Sequence, residues 1–199
     1  RIFEKDIRQL KPGKLWWNGF YKEVFAVETS NDEFEELFES VEHTVTFISV
    51  YPYWIQKTTY QYLDLSQQTG ELDYDDLDYD DFDYDLEELI EVIENDCIDK
   101  ANFELTFYGP CQNPAVLVGT HMYELLTDLE EGEYAVINSL TKKITQHDLY
   151  GNVENIFHLR DKDAYIFEKI PEGITTISRN KQLKMDITLF DVRGEPEWI

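Results

Sequence analysis

The sequence predicts a mainly β protein, an antiparallel sandwich or barrel preceded by a small α+β piece. Three observations predict it. From Phe103 onward the chain is a succession of short β-branched and aromatic runs, broken by Gly, Pro and Asn turns. Many short strands at that spacing fit closed or double-layered antiparallel architectures. Helical spacing of apolar residues occurs only in two short stretches, both before that point. An apolar fraction of 42%, with 15% aromatic, is ample for a packed core. At 199 residues the chain makes one large domain or two small ones.

The elements follow in order. Leu15 to Val27 reads as a hairpin, because Asn18-Gly19 separates two apolar runs and both turn positions need positive φ. Ser30 to Glu33 is a capping box before Phe34, Leu37, Phe38 and Val41, which predicts a short acidic helix. His43 to Val50 is β-branched and aromatic and is expected to be a central strand. Pro52 cannot donate to a ladder, so Tyr51 to Trp54 interrupts that strand, and Lys57 to Leu65 resumes strand character. Asp85 to Glu88 is a second capping box. Leu86, Leu89, Ile90, Ile93 and Cys97 after it predict an amphipathic helix with acids at its favourable end.

Beyond this helix, strands are expected at Phe103–Tyr108, Ala115–Val118, Met122–Leu126, Glu133–Ile137 and Lys142–Gln146. Further strands are expected at Ile156–Leu159, Ala164–Lys169, Gly173–Ser178 and Met185–Phe190. Gly109-Pro110, Asn113-Pro114, Glu131-Gly132, Gly151-Asn152 and Pro171 to Gly173 mark breaks between them. The boundary between the two parts falls near 50–65. The division is 1–55, then an acidic connector with a short helix over 56–100, then a β-sandwich over 101–199.

The connector holds the most unusual stretch, Leu72 to Asp85, nearly a five-residue unit written three times. Its apolar and aromatic positions alternate two and three apart. A strand would switch them between faces, and a helix would scatter them around its axis. Residues 71–96 hold fourteen acids and no bases, within a formal charge of −25. The stretch admits four readings. It has alternating Asp, but lacks the Gly and terminal Glu of an EF-hand calcium loop. It has the charge of a nucleic-acid mimic, but concentrates it in one short segment. It has too few copies for a solenoid. The fourth reading is a solvated, irregular connector whose tyrosines pack back on the domain.

The net charge argues against binding phosphate backbones or anionic membranes by simple electrostatics, and leaves open a basic partner. Cys97 and Cys111 make no disulfide framework and read as buried thiols in a reducing compartment. No apolar run reaches the ~20 residues of a membrane span, and no signal peptide is visible. The chain starts with Arg1 rather than Met, so removal of something upstream is expected. Gly-rich phosphate loops, a nucleophile elbow, HExxH and CxxC are all missing from the text. His43, His121, His147 and His158 are scattered without metal-ligand spacing and read as structural or surface residues. No catalytic, cofactor or metal residue is therefore assigned, and an enzyme is not expected.

Six passages, in order, resemble one family. Residues 45–54 (VTFISVYPYW) resemble a strand and turn that close the ring domain of long-tailed-phage tail proteins, and GPCQNP (109–114) resembles the opening of their second domain. GEYAVINSLTKKIT (132–145), GNVENIF (151–157), YIFEKIPEG (165–173) and DITLFDVRGEPEW (186–198) resemble their later hairpin, turn, loop and ending. The chain therefore resembles the siphophage distal tail protein family, or a prophage version of it, over roughly residues 40–199. Relatives carry a Tyr/Asp/Pro-rich run between domains. Here the prolines are missing from it, and Arg1 to Val50 would be only the second half of the ring-forming part.

The resemblance implies a structural role. Such proteins form a hexameric ring at the tail tip, joining the tail tube to tail-associated and receptor-binding proteins, with an outward galectin-like β-sandwich on each subunit. It implies a virion location after assembly in the host cytoplasm. If the acidic residues faced the lumen of such a ring, like charge would let DNA slide without sticking. Two rival functions stay open. One is a carbohydrate-binding module, which needs an exposed aromatic such as Tyr150 or Trp54 beside carboxylates and amides on a concave face. The other is an acidic DNA-mimic inhibitor of a nucleic-acid enzyme. Trp198 at the end of the chain is either a packing residue or an exposed terminal aromatic, with Pro196 fixing the chain's exit.

Overall fold

The structure is a computed structural model that describes residues 2–31, 43–65 and 88–196. The expected helix over 34–41, the acidic repeat 72–85 and Trp198 lie outside the described residues. The chain divides into two compact units, one of residues 1–57 with 191–199 and one of residues 58–190.

The first unit opens with a helix the sequence reading did not anticipate, α1 (Ile2–Gln9). Next comes the hairpin of β1 (Gly13–Trp17) and β2 (Phe20–Asn31), paired antiparallel from Gly13–Val24 to Trp17–Phe20. Asn18 and Gly19 both have positive φ, at 45° and 80°, so the tight turn forms where the dipeptide predicts it. Then β3 (His43–Ile48) pairs with β2 and, among the described residues, with no other strand. The expectation of a central strand is thus corrected to an edge. Its side chains agree, since Thr44, Thr46 and Ile48 are exposed. Ser49 ends the strand by donating its hydroxyl to the Glu23 and Tyr51 carbonyls.

β4 (Trp54–Tyr62) starts in the first unit and ends in the second. The second unit continues with β5 (Glu88–Asn95), β6 (Asn102–Tyr108), β7 (Cys111–Gln112), β8 (Ala115–Val118), β9 (His121–Glu124) and β10 (Asp128–Leu129). β11 (Tyr134–Asn138), β12 (Lys143–His147), β13 (Val153–Asn155), β14 (Gly173–Asn180) and β15 (Lys184–Arg193) complete it, β15 returning to the first unit. One sheet has the order β4-β15-β6-β11-β12-β13 and the other β5-β14-β8-β9, with β7 and β10 as a separate ribbon. The antiparallel pairing and two-layer arrangement are those of a β-sandwich.

The core lies between the two sheets. Alternate residues of β6 point inward, and the register lines them up with their neighbours: Met185–Phe107–Ala135 and Ile187–Leu105–Ile137. The second sheet contributes Ile93, Val116, Val118, Tyr123 and Ile177 to the same cluster. Phe103 meets Tyr123 edge-on, with ring centroids 4.9 Å apart. Fully burying each such side chain stabilises the fold by about 1.5–3 kcal/mol.

Three further expectations are corrected here. Residues 88–95 form strand β5, paired with β14 along its whole length, and not a helix. Ile156–Leu159 is a single 3-10 turn at Phe157–Leu159, and the strand lies just before it in β13. Ala164–Lys169 is irregular. Ile166 and Phe167 are consecutive and both buried, which a strand with alternating faces cannot provide. That loop is instead tied down at Ile170, whose N–H and carbonyl pair with Ala101, and by the Asn95 amide donating to the Ile170 and Pro171 carbonyls.

Candidate functional site

Two surfaces stand out from residues that alternate away from the core. The first is the outer face of β15, β6, β11 and β12. Burying every second residue of these strands forces the others into one grid, and the register fixes its rows. Lys184, Tyr108, Tyr134 and His147 form one row. Asp186, Thr106, Val136 and Thr145 form the next, and Thr188, Glu104, Asn138 and Lys143 the third. The β6, β11 and β12 part of this face lines a groove of about 520 Å³.

The groove is held in shape by bonds among its own side chains. The rings of Tyr134 and His147 stack, 4.4 Å apart and 8° from parallel. Thr145 Oγ1 lies 3.2 Å from His147 Nε2. The Tyr108 hydroxyl donates to the Asp186 carboxylate at 2.8 Å, and the Lys184 ammonium sits 5.1 Å from its ring. Burial, then that hydrogen bond to a carboxylate, push the Tyr108 phenol up to about 12. On the opposite wall Asn138 Nδ2 donates to Glu104 Oε2 at 2.6 Å, while Asn138 Oδ1 accepts from the Thr141 N–H at 2.9 Å. The site therefore has an aromatic wall, a floor of small β-branched residues, and an amide–carboxylate wall.

The second surface is in the first unit. Leu15, Trp16 and Trp17 of β1 are all exposed, Trp16 by 61% and Trp17 by 50%. Val50, Tyr51 and Tyr53 after β3 are exposed too. Large apolar side chains gathered on a short edge hairpin are typical of a surface covered in an assembly.

The residues singled out from the sequence lie elsewhere. Trp54 is half-buried beneath the Lys22 ammonium, 5.0 Å away. Tyr150 is 89% exposed at the β12–β13 turn. That turn is fixed by the Asp148 carboxylate, which accepts from the Tyr150 and Asn152 N–H groups and the Asn152 amide. These bonds hold the Asp148 carboxyl below its ordinary range. Neither aromatic lines the groove. Among the histidines whose side chains are described, His147 joins it, His121 bonds the Tyr165 carbonyl and His158 sits in the 3-10 turn. Cys97 and Cys111 are half-buried and not joined in a disulfide, and burial with the nearby Asp128 pushes Cys111 up. Among the described residues no group of three or more His, Cys, Asp or Glu could hold a metal ion, and no helix is long and apolar enough to cross a membrane.

Glu104, Tyr108, Tyr134 and Asn138 were not foreseen as a site. The signal was present as polar and aromatic residues at every second position of three strands, but only the register brings them together.

No family model matches the chain, and no curated protein does. Comparison with solved structures finds the Dit protein of SPP1, described as a paradigm of the hub adsorption apparatus in phages that infect Gram-positive bacteria. The similarity extends over 92% of this chain at a TM-score of 0.53 and 7% identity. The fold is similar to that of SPP1 Dit. The chain spans 65% of the length of SPP1 Dit, just under two thirds. Two structures of the activated phage P2 baseplate, one with calcium and one with strontium, are also similar. Their TM-scores are 0.48 and 0.47, at 13% and 15% identity, over 99% and 94% of this chain and 76% and 71% of theirs.

Proposed function

We propose that this chain is a structural component of a phage tail tip or baseplate. In this role it links the tail tube to receptor-binding or tail-associated proteins, as a homo-hexamer in the full-length protein. The observation that carries the reading is the similarity to SPP1 Dit over nearly the whole chain, both units included. The motif resemblance of residues 109–198 supports it independently, because it was drawn from residue order and not from shape. In this reading 101–199 is the outward galectin-like part, and 1–55 belongs to the ring-forming part. The exposed Trp16 and Trp17 then supply an interface between ring subunits, since covering large exposed apolar rings favours assembly. The role needs no catalytic step.

Two measurements test it. Gold-labelled antibody against this chain should decorate the tail tips of particles released from the source strain. Label on capsids, or none on particles, would sink the proposal. Light scattering on the protein expressed from its whole reading frame should give a hexamer that Trp16→Ser with Trp17→Ser dissociates. A monomer at every concentration removes the ring.

A further inference from the structure

The geometry points to a saccharide-binding site in the groove on the outer face of β6, β11 and β12, taking a neutral sugar between its aromatic wall and its amide–carboxylate wall. A pyranose presents an apolar C–H face and a rim of hydroxyls. Its recognition needs an aromatic ring for the face and fixed planar donors and acceptors for pairs of hydroxyls. The groove offers both. Tyr108, Tyr134 and His147, side by side in one row, give the aromatic surface. Glu104 and Asn138, locked to one another at 2.6 Å, give acceptors and donors side by side.

Size and charge select the class. Strands ~4.8 Å apart and rows of alternate residues make the face roughly 14 Å in each direction, which suits a short oligosaccharide better than a protein partner. Its charges balance. Its lining holds one acid, Glu104, and one base, Lys143, and the adjoining β15 adds Asp186 and Lys184, so neither a phosphate nor a cation finds an excess of opposite charge. This neutrality is a local property, because the chain as a whole carries −25. The walls are also held by their own hydrogen bonds, so a ligand orders few side chains on entry. The inference goes beyond the tail-tip reading and does not depend on it.

The test is an array of neutral oligosaccharides, followed by amide-shift titration of the labelled chain with the sugars that bind. Lactose, maltose and N,N′-diacetylchitobiose serve as defined probes beside inorganic phosphate and glucose 6-phosphate. Saturable shifts are expected in β6, β11 and β12 amides with a neutral sugar. Tyr134→Ala and Glu104→Gln should each weaken binding by about tenfold or more, as expected for loss of a stacking surface or a charge-assisted hydrogen bond, whereas Tyr150→Ala should not. The same spectra report whether each variant is folded, and Tyr134→Phe, which keeps the ring, should retain binding. No response to any neutral sugar overturns the inference. So does a response to the phosphates alone, or binding that survives Tyr134→Ala and Glu104→Gln.

Discussion

Arg179 is fully buried, with 0% of its side chain exposed, yet it carries a full charge in the sandwich. Its guanidinium distributes that charge over four acceptors. Nε donates to Glu91 at 2.7 Å, one terminal nitrogen donates to the Leu183 and Asn180 carbonyls, and the other donates to Leu63. Tyr62 lies under the group, its centroid 5.6 Å away. Leu63 and Glu91 lie on either side of segment 66–87 in the chain, so one side chain fastens the strands before and after the acidic repeat. Removing it takes the guanidinium donor from the Leu63 and Leu183 carbonyls and the Glu91 carboxylate in a site that water reaches poorly, while the Asn180 carbonyl keeps the Leu183 N–H. Breaking a buried pair by deleting one partner costs about 3–5 kcal/mol, and Glu91, partly exposed, brings the value here toward the lower end. Arg179→Met is therefore expected to lower stability by about 3 kcal/mol in urea denaturation. Arg179→Lys is expected to recover only a minor part, because an ammonium cannot span the fork. A loss under about 1 kcal/mol for both variants would show that the network is ornamental.

At the scale of elements, the tight turn of the β1–β2 hairpin sets a clear test. Gly19 has φ of +80°, and a Cβ there would come within 3.2 Å of Gln56 Nε2. An L side chain in that left-handed region costs about 1–2 kcal/mol. Gly19→Ala should accelerate amide exchange in β1 and β2 while leaving β6 and β11 unchanged, and equal acceleration across both units would refute the local origin. This turn was legible in the sequence because its chemistry is local. So were β6, β8 and β11, whose inward residues are apolar at every second place. β5 was not, and its side chains explain why. Two of its inward positions are Glu91, which meets Arg179, and Asn95, which holds the 170–171 carbonyls. Two of its outward positions are Ile90 and Val92. Polar groups inside and apolar groups outside erase the strand period and leave an accidental helical one. The groove was hidden for a related reason. Alternation shows that Glu104, Tyr108, Tyr134 and Asn138 face outward, but their neighbours are fixed by pairing between strands far apart in sequence.

For the molecule as a whole, charge is the property with the widest consequences. Forty-two acids oppose seventeen bases, a formal charge of −25, so even pairing every base would leave twenty-five acids. Ion pairs among the described residues include Lys100–Glu168, Arg179–Glu91 and Arg193–Asp191, and the first of these is largely exposed. Exposed pairs contribute little, so most of the acids remain as mutual repulsion that unfolding relieves by spreading the chain. Salt should therefore stabilise this protein. The screening length falls from ~30 Å at 0.01 M to ~10 Å at 0.1 M, which removes repulsion between acids on separate strands before it touches a contact pair. Each kcal/mol relieved raises the midpoint of thermal unfolding by about 2–4 °C in a chain of this size. A thermal series in sodium chloride should rise steeply below about 0.1 M and flatten above it. The same rise should appear in lithium chloride, since screening depends on ionic strength and not on the exclusion of a particular salt from the surface. A flat series, or one that follows the identity of the salt, would mean that the acids are held too far apart to repel. The charge would then have no part in the balance that keeps this chain folded.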